Sequence, residues 1–492
     1  FNAIELLEKY AFIDFIVLGE GEVTFKELLD NIANESCDFE RIDGLAYRDG
    51  NDIVQNAPRM LIDELDSIPS PYKQVGDDFK NKIVYYESSR GCPFNCRFCL
   101  SSTIKGLRYF NIDRVKEDLQ NLIDADVRQV KFVDRTFNAN KRYAMEIMQF
   151  IMDRDPENIN FHFEVTGHLV DDEMLQFIRN AKEGLFQFEI GVQSTNPHTI
   201  EAIGRTTDFQ RLKQVSEEIK GFKNIHQHLD LIAGLPYEDY DSFKKSFDDV
   251  YEIGPEKIQL GFLKLLRGSG LREDIKKYGF KFLDIPPYEV LETDHITYAE
   301  MLRLKGIEDL VEKYYNGGYF KHSLGYIIAN EYKTPFSFFE DLLKYWEMNM
   351  HQEVSHSRNR LYRILFDFCN YRKFSNLDII DEILKYDYIC NNRNSRIPGY
   401  FSRTNISFLR ERKHDILKNN ELLDRYLTGY KDIPTKKIIN KIHIEGFKIN
   451  ILELIENDYE VDEDMKGMTH ILFEFTGGVI TRCRTYDITK FI

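Results

Sequence analysis

The spacing of apolar and polar positions changes character twice along the chain, which predicts three regions. In the first, "AIELLEKYA" (residues 3–11) has the three-to-four spacing of an amphipathic helix. "FIDFIVLG" (12–19) is a short apolar run of the kind that forms a buried strand, and "GEGEVTFKELLDNIA" (19–33) is a glycine-rich turn entering a helix. "LAYRDGNDIVQ" (45–55) alternates around Asp49-Gly50, a pair suited to a tight hairpin turn. "LIDELDSIPSPY" closes the region, with Pro69 and Pro71 marking a linker near residue 70.

From 71 to 285 the pattern becomes repetitive. Six β-rich runs stand out: "KIVYYES", "VRQVKFVD", "NINFHFEV", "LFQFEIGV", "HQHLDLIAG" and "KIQLGFLK". Helical patterns such as "IDRVKEDLQNLIDA" and "DFQRLKQVSEEIKGF" separate them. Repeated strand–helix units require crossovers, and crossovers produce a parallel sheet. Six such units fit an open partial barrel or a doubly wound sheet, and either fold places its ligand at the C-terminal ends of the strands. From 286 to 492 the pattern is mostly helical until about 440. "KIHIEGFKINILELI" and "THILFEFTGGVITRCRTYDI" then predict strands.

Composition narrows the class. With 492 residues, 42% hydrophobic and 30% charged, the chain has a globular mix and room for several domains. A formal charge of −17 argues against a nucleic-acid partner. No run of about 18 apolar residues predicts a membrane span. The chain begins at Phe1 rather than Met, so further sequence before it is expected. Its start lacks the basic segment and cleavage site of a signal peptide, and the scattered cysteines suit a reducing cytoplasm.

Three of the seven cysteines, Cys92, Cys96 and Cys99, fall within "CPFNCRFC", immediately after the first strand of the repeat. Thiolates this close can grip one metal centre. Iron–sulfur clusters normally take one Cys thiolate per iron, so three thiolates on a four-iron cluster leave one iron open. A structural zinc ion would need a fourth ligand, and no second closely spaced Cys or Cys/His pair follows. A three-cysteine zinc site or merely reduced thiols are the bland alternatives.

This spacing, with the strand–helix repeat around it, resembles the radical SAM superfamily. The resemblance implies a partial (β/α)6 TIM-like barrel in an α/β chain. It also implies a [4Fe-4S] cluster on the three cysteines, with S-adenosylmethionine (SAM) chelating the open iron. Reductive cleavage would then yield a 5′-deoxyadenosyl radical, with a flavodoxin or ferredoxin as one-electron donor. Carried over by position, Phe98 would pack near adenine and Asp134 would meet the methionine amino group, although "VDR" stands where the family has Gly-Gly-Glu. Glu164, Gln193 and Asp230 would contact ribose or adenosyl, as in coproporphyrinogen-type members. Arg205 would pair with the methionine carboxylate, and Gly234 would let the backbone approach the nucleoside. No residue is singled out as the final hydrogen donor or acceptor.

"FIDFIVLGEGEVTFKELL" with "LIDELDSIPSPY" resembles the join between a cobalamin-binding domain and a radical SAM core. Residues 1–70 are therefore expected to be a remnant of a Rossmann-like domain, 71–285 the core, and 286–492 a mostly helical α+β domain of unknown function. Methyl transfer to an unreactive carbon, or a rearrangement, is the implied reaction. A cobalamin-independent radical SAM oxidoreductase is the runner-up, and a non-enzymatic iron–sulfur or zinc protein is the alternative from another class. In the last region, "RNSRIPGYFSRTNISFLRERKHDILK" mixes Arg and Lys with aromatics. It is expected to be a solvated helical surface rather than a pocket wall for an anionic substrate.

Overall fold

A computed structural model describes the chain except residues 1, 74–75, 105, 394–395, 405, 432, 463–464 and 477–481. It divides into two compact units: residues 1–243, 253–255 and 260–301, and residues 244–252, 256–259 and 302–492. Most of the first two regions expected from the sequence thus falls in one unit, while residues 244–252 and 256–259 group with the last region.

In the first unit, β1 (Phe15–Val17), β2 (Leu45–Asp49) and β3 (Asp52–Gln55) form an antiparallel sheet with the order β1-β2-β3. The predicted hairpin is present, with Gly50 at φ +58° in its turn. The β1 strand is half-buried rather than buried, and its neighbour runs antiparallel. What was expected as a Rossmann-like remnant is here a small antiparallel sheet with helices Ala3–Lys9 and Gly21–Ala33.

The repeat folds as the period predicts. After β4 (Ile83–Tyr86) come the two-residue strands β5 (Ser89–Arg90) and β6 (Arg108–Tyr109). Then follow β7 (Gln129–Phe132), β8 (Asn160–Glu164), β9 (Phe186–Gln193), β10 (His226–Ala233) and β11 (Lys257–Phe262). The six long strands form one sheet, ordered β11-β10-β9-β8-β7-β4, and every pairing from β4 to β10 is parallel. Strands in chain order beside one another, joined by helices, are what right-handed crossovers produce. The intervening helices start on side-chain caps: Asn111, Asn140, Asp171 and Asp208 each accept from a backbone N–H two or three residues on. Their apolar stripes, such as Val115, Leu119 and Leu122, are fully buried. A short antiparallel pair, β12 (Lys281–Phe282) and β13 (Val290–Glu292), follows.

Along β9 the alternation is strict. Phe186, Phe188, Ile190 and Val192 are buried, while Gln187, Glu189, Gly191 and Gln193 are half-buried on the other face. That second face carries polar side chains on neighbouring strands too, and it holds the candidate site.

The second unit contains helices Lys321–Glu331, Pro335–Met348, Arg358–Arg372 and Leu377–Asn391. An antiparallel sheet of β14 (Ile442–Ile449), β15 (Lys466–Thr476) and β16 (Arg482–Asp487) follows. The expected strand over "ILELI" is instead a helix, Ile451–Glu456, whose N-terminus Asn450 caps by accepting from Glu453 N–H. Residues 477–481, part of the stretch expected as strand, lie outside the described residues.

Candidate active site

The cysteine loop is held at its base by the β5–β6 ladder, Ser89 opposite Tyr109 and Arg90 opposite Arg108. Gly91 has φ +99°, and a Cβ there would lie 1.9 Å from the Gly106 carbonyl oxygen. Only glycine meets both conditions. The ladder arginines are gripped by the "GEGE" turn. Arg108 donates to both Glu20 carboxylate oxygens at 2.5 and 2.9 Å, and Arg90 donates to Glu22 at 2.5 Å and to Glu87 at 3.0 Å. Burial would raise the Glu20 pKa, but the Arg108 hydrogen bond and the Ile62 N–H outweigh it and hold the carboxyl below its ordinary value. "GEGE" is therefore more than a tight turn: it fixes the base of the cysteine loop.

Within the loop, Arg97 works as a staple. Its N–H donates to Ile203 O at 2.9 Å and its carbonyl accepts from Leu271 N–H at 2.9 Å. Its guanidinium reaches Gly270 O at 3.1 Å and Asp274 at 2.5 Å. Cys99 N–H donates to Cys96 O at 3.0 Å. Cys96 is 7% exposed, Cys92 and Cys99 are half-buried, and all three are free thiols. Burial pushes the Cys96 pKa up, while Arg205, whose Nη1 is 3.8 Å from the sulfur, favours its thiolate. Cys92 Sγ lies 3.6 Å from Thr136 Oγ1, just past the end of β7.

Among the described residues, no three His, Cys, Asp or Glu side chains close on one point as a single ion requires.

The other expected residues fall on or near the polar face. Arg205 donates to Gly191 O at 2.6 Å and to Thr207 Oγ1 at 2.7 Å, which sets it between Cys96 and the end of β9. Gln193 ends that strand at φ +72°, where the β9–β10 register slips. A Cβ at Gly191 would meet Gln193 Nε2 at 2.2 Å and Arg205 Nη2 at 3.3 Å, so glycine makes room for both. Gln193 Oε1 and Asp230 Oδ1 are buried without a hydrogen-bond partner. Burial raises the Asp230 pKa well above the usual range, and Glu189 and Glu164 raise it further. Burial, then the Glu189 charge, pushes Glu164 up to about 7. Buried polar atoms that the chain leaves unsatisfied carry a penalty that a ligand with hydroxyl donors removes. The ribose and amino groups of SAM are such donors, so these residues fit that cofactor.

Two expected contacts look different. Asp134 is 1% exposed and already accepts from Ser88 N–H (3.0 Å), Ser88 Oγ (2.6 Å) and Ser89 Oγ (2.5 Å). Burial pushes it up to about 6 against those hydrogen bonds. Its visible work is to tie β5 to the end of β7. Phe98 packs against the cluster of Ile203, Leu235 and Leu271, which gives it a packing role whatever it meets beyond. Gly234 has φ +85° directly after β10.

Deeper on the same face lies a row missed from the sequence. Glu189 pairs with His162 at 2.9 Å and with Lys131 at 3.2 Å. Gln187 bridges His162 (3.1 Å) and His228 (3.1 Å), and His226 contacts His228 (3.1 Å). The His162 hydrogen bond foremost, with help from Lys131, lowers Glu189 to about 2 despite burial. The signal was there in the polar positions at every second residue, Gln187-x-Glu189-x-Gly191-x-Gln193.

Residues 86–250 match the model of the radical SAM superfamily. That stretch of the chain is a radical SAM domain. Residues 276–473 match a family described as protein of unknown function (DUF4080). Among curated relatives, the chain is 25% identical over 378 residues to the 2-(S-pantetheinyl)-carbapenam-3-carboxylate methyltransferase of Streptantibioticus cattleyicolor, covering 70% of this chain and 55% of that protein. It is 27% identical over 307 residues to the cobalamin-dependent radical SAM methyltransferase TokK of Streptomyces tokunonensis, covering 56% and 43%. The chain thus spans about half the length of these relatives. Among solved structures, the cobalamin-dependent radical enzyme OxsB, with aqua-cobalamin and SAM bound, superposes with a TM-score of 0.52 at 14% identity, covering 78% of this chain and 64% of that one. This likeness supports the fold. Among the described residues, no helix is long and apolar enough to cross a membrane.

Proposed function

We propose that this protein is a radical SAM enzyme of the cobalamin-dependent type that transfers a methyl group to an unreactive carbon of a small molecule. The observation that carries the radical SAM part is that Arg205 lies beside both Cys96 and the end of β9, where Gln193 and, on neighbouring β10, Asp230 have buried polar atoms without a partner. When bound, the cluster and SAM supply reductive carbon–sulfur cleavage and a 5′-deoxyadenosyl radical.

In this account the chain binds, orients and shields. Cys92, Cys96 and Cys99 hold the cluster. Arg205, beside the Cys96 sulfur, presents a planar fork to the methionine carboxylate. Glu164, Gln193 and Asp230 accept from ribose and amino donors, and Gly234 leaves backbone room. Asp134 is assigned to the loop rather than to the methionine amino group, because Ser88 and Ser89 already occupy it. An external one-electron donor is required by the chemistry. The methyl-transfer and cobalamin parts are supported by the relatives rather than by a residue of this chain.

The test is anaerobic reconstitution with iron and sulfide, followed by dithionite and SAM. Formation of 5′-deoxyadenosine is expected, and its absence from protein with a full cluster would sink the proposal. Added hydroxocobalamin should change its visible spectrum on binding. Cleavage of SAM without cobalamin binding would favour the oxidoreductase reading.

A further inference from the structure

The second unit holds a cavity of about 490 Å³, enclosed by the end of helix Leu377–Asn391, the segment after it, helix Ile406–Ile416 and strand β14. The basic stretch expected to be solvated surface supplies its charge: Arg396, Arg403 and Lys413 line it, with His443 from β14. Ile397, Leu409, Ile442, Ile444 and Phe475 give it apolar walls.

The charges in this cavity do not cancel. Arg403 and His443 share a single carboxylate, Glu445, which is 1% exposed and accepts from Arg403 at 3.1 and 2.7 Å and from His443 at 3.0 Å. Lys413 donates to two backbone carbonyls, Ile439 O at 3.1 Å and Ile442 O at 2.7 Å. Those bonds fix its direction without neutralising it. Its pKa is lowered by burial alone. No carboxylate pairs with Lys413 or Arg396 among the described residues. In a chain of net charge −17, a partly buried cavity with surplus positive charge is a built feature. Its volume lies in the range of small-molecule sites, roughly 300–1,000 Å³.

We infer that this cavity is a binding site for a small organic anion with an apolar body, a carboxylate or phosphate ester whose head lies against Lys413 and Arg396. None of its lining residues belongs to the cysteine loop, so its failure would leave the radical SAM proposal untouched.

Two dyes of nearly the same shape test it on the full chain by fluorescence titration: anionic 1-anilinonaphthalene-8-sulfonate and neutral N-phenyl-1-naphthylamine. The anionic dye is expected to bind about tenfold more tightly. Arg396→Gln and Lys413→Met should each weaken it on the order of fivefold while moving the neutral dye less than about twofold. Arg396 is exposed, so Arg396→Gln should keep the fold and decides the matter alone if Lys413→Met melts early. Equal affinity for the two dyes, or unchanged anionic-dye binding in Arg396→Gln, would overturn the inference.

Discussion

The polar face of the parallel sheet has two rows that differ in kind. Toward the C-terminal ends of the strands, Gln193 and Asp230 have buried polar atoms without a hydrogen-bond partner, and burial pushes the Glu164 and Asp230 carboxyls upward. One step deeper, Lys131 and His162 pair with Glu189, Gln187 contacts His162, and the same kind of carboxyl is pulled down to about 2. Burial alone therefore does not set these groups; partners do. The deep row is a stabilising network. The strand-end row is arranged for a ligand with donors of its own.

Substitutions should separate the rows. The largest effect is expected at the cysteine loop: Cys96→Ala should lower SAM cleavage by roughly a thousandfold or more, with the loss of cluster iron and sulfide measured alongside. Next, Glu189→Ala should destabilise the protein by about 3 kcal/mol, because it leaves His162 and Lys131 without their acid. Denaturant unfolding reads this directly. By contrast, Glu164→Gln with Asp230→Asn should weaken SAM binding by about tenfold, seen by calorimetry, without lowering stability.

The rows should also differ in sign with pH. Glu164 has a folded value of about 7 against an ordinary 4.5. Between those values the unfolded chain has released the proton and the folded chain has not. Stability therefore falls as pH rises through that window and is level above it. Glu189 is depressed from 4.5 to about 2, so its stabilisation is present above 4.5 and fades as pH falls toward 2. Accordingly, Glu164→Gln should raise the melting temperature by roughly 1–3 °C at pH 8 and leave it nearly unchanged at pH 4. The smallest effect is expected at the loop base. Glu22→Gln should cost about 1 kcal/mol or less, since Arg90 keeps Glu87.

Much of this was legible before the structure. The six strands follow from alternation and length, because a half-buried parallel sheet imposes both. The loop cysteines follow from spacing. What escaped was tertiary. Nothing local shows that Asp134 is engaged by Ser88 and Ser89, or that Glu20 and Glu22 reach forward to Arg108 and Arg90. The "ILELI" segment misled because an apolar run of that length suits strand or helix, and the Asn450 cap decided it. Arg396, Arg403 and Lys413 looked solvated because composition does not say which basic residues converge on one cavity.

The central claim is that the three-cysteine loop holds a cluster with one iron open to SAM. Electron paramagnetic resonance of the dithionite-reduced, reconstituted protein tests it most directly. The account predicts a [4Fe-4S] signal that changes when SAM is added. A reduced cluster whose signal is identical with and without saturating SAM would contradict it.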